Sequence, residues 1–119
     1  MKKSALLLAL FASTTTPASA KNTLFPFSQN KNYIAQSVCH TAKLLVDGDS
    51  NSKVYQRFLE MTVDIKDKNG LTEKEMIAGM MWVMGYSDGL FVASAIAMNI
   101  TKAEYAKMVI NDVCAGIDK

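Results

Sequence analysis

Three reactive side chains stand out in the 119-residue sequence, Cys39, its neighbour His40, and Cys114. A thiol beside an imidazole is the makings of a nucleophile. Consecutive residues on a helix point in different directions, however, which argues against Cys39 and His40 acting as a pair. Tyr86, Ser87 and Asp88 form a second group with chemical potential, inside Trp82-Val83-Met84-Gly85-Tyr86-Ser87-Asp88-Gly89. A hydrolytic serine needs a base and an oxyanion hole, and the sole histidine belongs to a different segment. Asp88 reads instead as a hydrogen-bond acceptor within the fold. Asp67-Lys68-Asn69-Gly70 has a calcium-loop flavour, but with Gly70 at the sixth loop position, Ile65 and Met76 fall where an acid is required. With one histidine and two separated cysteines, the sequence offers no metal site, no cofactor site and no catalytic constellation.

The chemistry of the cysteines depends on where the chain resides. Met1-Lys2-Lys3, an uncharged Ala/Leu-rich run from Ser4 to Ser13, and Pro17-Ala18-Ser19-Ala20 have the three parts of a secretory signal peptide. Residues 1–20 are therefore expected to be removed, leaving one domain over residues 21–119 outside the reducing cytosol, in the periplasm. Two cysteines in an oxidising compartment have one possible pairing, Cys39 with Cys114. The bridge would close a loop of about 75 residues and stabilise the fold by about 4 kcal/mol. His40 is then a surface or packing residue. Removing Lys2 and Lys3 leaves 11 basic against 11 acidic side chains. So balanced a charge argues against nucleic acid or an anionic membrane as the main partner.

The elements that hold these residues are helical throughout. Residues 21–29 read as a tether, with Pro26 opposing regular structure and Leu24, Phe25 and Phe27 pinning it down. Asn30 or Asn32 caps a first helix to about Val46, whose stripe is Tyr33, Ile34, Val38, Ala42, Leu45 and Val46. A turn-rich linker follows over residues 47–52. A second helix is expected from Ser52 to Val63, with Val54, Tyr55, Phe58, Leu59 and Met61 inward, then a polar loop from Asp64 to Thr72. Thr72-Glu73-Lys74-Glu75 has the capping-box pattern and starts a long helix to Met98. Thr101 caps a last helix to about Cys114, with Ala103, Ala106, Val109, Ile110 and Val113 inward. No segment alternates as a strand does. The expected fold is all-α, a small bundle of about four helices with one disulfide.

The long third helix has scarcely a polar face, so it is expected either to sit centrally or to lie against a partner. A membrane span is the competing explanation. Asp88 in its middle and Gly79, Gly85 and Gly89 argue against that, since a charge at mid-bilayer costs about 2.5–3.5 kcal/mol. Gly85, Gly89, Ala93 and Ala97 recur every four residues and would let a second backbone approach, at an internal crossing or in a homodimer seam. Met76, Met80 and Met84 line one face, with Met81 adjacent. Methionine either fills an irregular core or adapts a surface to different partners.

A Cys in the first helix, the pattern W-x-x-G-Y-x-x-G and a Cys ending the last helix resemble the HdeA/HdeB family. The matching residues are Cys39, Trp82, Gly85, Tyr86, Gly89 and Cys114. Forty-two residues separate Cys39 from Trp82, so the second helix reads as an insertion in that pattern. The resemblance implies a small disulfide-bonded periplasmic acid-stress chaperone. The chain also resembles periplasmic immunity proteins that neutralise type VI secretion amidase effectors, with the Asp64–Thr72 loop as the natural plug. Either way the expectation is a non-enzymatic protein-binding domain with Met76, Met80, Met84, Trp82 and Tyr86 at the partner surface. For a chaperone the switch would be carboxylate protonation. At pH 2 the 11 acids are neutral and the 11 bases and His40 are charged, giving about +12 plus the α-amino group.

Overall fold

Asn30 sets the first long helix. Its side chain accepts the backbone N–H of Tyr33, and the chain coils from Lys31 to Asp47 before Gly48 ends it in the left-handed conformation. In the computed structural model, residues 22–48 and 53–117 are described; the expected signal peptide, residues 1–20, and most of the expected linker, residues 49–52, lie outside them. The helices are α1 (Phe25–Ser28), α2 (Lys31–Asp47), α3 (Lys53–Lys68), α4 (Glu73–Met98) and α5 (Lys102–Val109). A π-helical turn, Ile110–Cys114, and a last turn, α6 (Ala115–Ile117), complete the described residues. The fold is all-α, with no strand among the described residues, and Cys39 is bonded to Cys114 across a Cα–Cα distance of 5.3 Å.

The central helix is α2, not the more apolar α4. It packs against α1, α3, α4, α5 and the π turn, and Gln36 through His40 are five consecutive buried residues. Apolar spacing could not show this, because three of the five are Gln36, Ser37 and His40. Gln36 and Ser37 are tolerated inside because neutral polar contacts meet them, and His40 stacks on Tyr55. Gln36 donates to the Val54 carbonyl at 3.0 Å, and the Ser37 and Ser87 hydroxyls lie 2.8 Å apart. The Tyr33 hydroxyl lies 2.7 Å from Thr62 Oγ1, which also donates to the Phe58 carbonyl.

Three other expectations are corrected. Residues 25–28 form a helical turn, because Pro26 stands at its start, where no helical N–H is required of it. Buried Phe27 anchors that turn. Helix α3 runs five residues past Val63, so Asp64 to Lys68 is helix and not plug loop. Ile65 extends the buried series Val54, Phe58, Thr62, and the charged residues around it occupy the outer side. The true stop is Gly70 at φ 61°, where Gly70 N–H donates to Asp67 O and Leu71 N–H to Lys66 O while Leu71 is buried. That is a Schellman end with its apolar contact. In the last helix Ala103 is exposed, while Ala106 and Val109 are buried. Residues five apart in an α-helix point in different directions, and the wider π turn brings Val109 and Cys114 to the same inner side.

The expected capping box at Thr72 forms, and the expected Thr101 cap is a second box. Thr72 accepts from Glu75 N–H while Glu75 accepts from Thr72 N–H, and Thr101 and Glu104 repeat the arrangement. The Thr101 N–H holds the Glu104 carboxyl below its ordinary range.

Candidate functional site

Helix α4 touches the bundle along one narrow line. Gly79, Val83, Ser87, Phe91 and Ala95 are buried, each four residues after the last. Phe27 lies against Gly79 so closely that a Cβ there would overlap its ring. Val83 joins the cluster of Phe27, Tyr33, Phe58, Ile65 and Leu71, and Phe91 joins that of Val38, Ala42, Ala106 and Val109. Met76, Met80 and Met84 are half-buried on the flank of the first cluster, so these methionines act as filler against the α2–α3 side.

The opposite side of α4 is open. Ile77, Met81, Trp82, Tyr86, Val92 and Ile96 are all exposed, Met81 to 61 % and Ile96 to 74 %. Trp82 and Tyr86, one turn apart, stack with ring planes within 2° and centroids 5.7 Å apart. Gly85 and Gly89 lie on this side, with nothing within 4 Å of where a Cβ would stand, and Ala93 and Ala97 are exposed with them. The small-residue ladder therefore marks no internal crossing; the crossing belongs to Gly79. Of the five residues expected at a partner surface, Trp82 and Tyr86 face outward and the three methionines are half-buried. From Met76 to Met98 the only charged residue is Asp88. By length and composition alone α4 could also cross a membrane, and 22 % of its most apolar window is buried.

The side chains that looked chemical take structural places. Ser87 is fully buried, facing Ser37 and donating to the Val83 carbonyl at 3.0 Å. Asp88 is exposed rather than bonded into the interior, and its field reaches His40. His40 is buried, its ring 4.5 Å from Tyr55 and 6.4 Å from Phe58 between centroids. Its Nδ1 has no hydrogen-bond partner, and burial pushes its pKa down. Burial likewise raises the Tyr33 phenol to about 12, so it stays neutral opposite Thr62. Among the described residues no cluster of His, Cys, Asp and Glu could hold a metal ion.

Sequence reasoning missed the neutral hydrogen bonds that tie α2 to α3 and α4. Ser37, Thr62 and Gln36 carry no periodic signal, and their pairing depends on which helices meet. No family model, curated protein or solved structure matches the chain.

Proposed function

We propose that the chain is a periplasmic, non-enzymatic binding protein, an HdeA-like acid-stress chaperone that offers the outer face of α4 to other proteins. One observation carries the reading: a contiguous apolar face, with Met81, Trp82, Tyr86, Val92 and Ile96 exposed, on a helix whose other side anchors the core. Such a face marks an interaction site. With Asp88 as the lone charge between Met76 and Met98, it suits apolar polypeptide better than a charged ligand.

At neutral pH a second copy of the chain would cover the face, Gly85, Gly89, Ala93 and Ala97 letting the two backbones come close. Acid neutralises the carboxylates, and the resulting positive charge favours separated, looser chains that expose α4 to clients. The Cys39–Cys114 bond limits that loosening and makes it recoverable. The test is light scattering of an acid-aggregating client at pH 2.5 and pH 7. Wild type should suppress aggregation at pH 2.5, and Trp82→Ser with Tyr86→Ser should lose most of that effect. No protection by wild type at pH 2.5 would count against the chaperone reading.

The immunity reading keeps one specific support. The stacked Trp82–Tyr86 pair is already exposed, as an aromatic anchor for an enzyme cleft would be. Nanomolar inhibition of a peptidoglycan amidase at pH 7, lost in the same double variant, would favour it over the chaperone.

A further inference from the structure

The chain's single histidine is also its most conspicuous buried ionisable group. His40 is 5 % exposed on the central helix, and two rings of α3, Tyr55 and Phe58, lie roughly parallel to it. A neutral imidazole has one N–H and one acceptor nitrogen; the charged form has two N–H donors and a full positive charge. Nδ1 is buried without a hydrogen-bond partner, so the charged ring would bury a donor without an acceptor. The next residue back is Cys39, bonded to Cys114, so this spot joins the α2–α3 contact to the one covalent link of the fold.

We propose that His40 is an acid-sensitive latch: neutral, it closes α2 onto α3, and its protonation loosens that pair while the adjacent Cys39–Cys114 bond keeps the chain together. The groups around it leave this sense unchanged. From α3 the neighbouring titratable side chain is Tyr55, its ring 4.5 Å from the imidazole between centroids. From α4 the Asp88 carboxylate favours the charged ring, but it is exposed and its effect is the smaller one. Lys43 stands three residues along α2, and the described charged residues of the C-terminal segment, Lys102, Glu104, Lys107 and Asp112, are all exposed. Burial wins over Asp88, so the folded ring takes its proton at lower pH than the unfolded one. As pH falls through about 6.5, the unfolded chain binds a proton that the folded chain does not, and stability declines until the folded pKa is passed. The latch is a property of the fold alone and needs no client, second copy or effector.

Two measurements decide it on the whole mature protein with its disulfide intact. Because His40 is the sole histidine, its ring protons give an unambiguous NMR titration. The expected midpoint lies below 6.5, and a midpoint at or above 6.5 overturns the proposal. Urea unfolding between pH 7.5 and 5.5, where few carboxylates titrate, is the second. The unfolding constant of wild type should rise with acid by as much as tenfold per pH unit, while His40→Phe, which keeps the ring stack, should stay nearly flat. Parallel pH dependence in the two proteins would also overturn it. If His40→Phe does not fold, the NMR titration decides alone.

Discussion

Two glycines six residues apart on α4 have opposite meanings. Gly79→Ala forces a methyl into the Phe27 ring, and overpacking of that kind costs about 1–3 kcal/mol. That outweighs the helix-propensity gain of about 1 kcal/mol. Gly85→Ala meets only open space within its own chain, so urea unfolding at concentrations that keep the chain monomeric should show it neutral or stabilising by up to about 1 kcal/mol. Equal losses at both sites would mean that something covers Gly85. Sequence alone could not rank the two, because small-residue spacing is visible along a chain and the partner across the gap is not. The same limit hid Ser37 and Ser87, 50 residues apart and joined only when α2 crosses α4. Tyr33→Phe removes the hydroxyl facing Thr62 and should cost about 1 kcal/mol by the same assay.

The helices were legible wherever local chemistry decides them. Asn30, Thr72 and Thr101 cap where their side chains predict, and α4 spans the expected residues. The end of α3 was less legible: its last turn is charged, and only Ile65 with the buried Leu71 beyond Gly70 marks it as packed. Gly70→Ala should therefore destabilise by about 1 kcal/mol, since φ 61° puts a Cβ near the following carbonyl. The α5 capping box adds a pH dependence. Glu104 is held below its ordinary range by the Thr101 N–H, so its contribution is present above the unfolded pKa and is lost as pH falls through the folded one. Glu104→Gln should flatten that part of the acid response, seen as a drop between pH 6 and pH 3 in the wild-type protection of the Glu104 and Tyr105 amides, after correction for the intrinsic pH dependence of exchange, that the variant lacks.

At the scale of the molecule, a bundle organised by α2 leaves its most apolar helix half uncovered. The sequence showed α4 as apolar all round and so pointed to a central place or a partner. The centre is α2, which leaves α4's outer face uncovered. Reducing Cys39–Cys114 should lower stability by about 4 kcal/mol, read as a shift of the urea midpoint. Carbonate extraction should release the protein from membranes; retention in the pellet would make α4 a span instead. The outer face carries its own reporter, because Trp82 is the single tryptophan of the chain. Its quenching by acrylamide, measured at pH 2.5 with and without an unfolding client, tests the central claim most directly. A client bound to α4 should shield Trp82 and shift its emission to the blue, in step with suppressed aggregation. Suppression with Trp82 fully quenchable would show that the client binds elsewhere and that the outer face of α4 is not the binding surface.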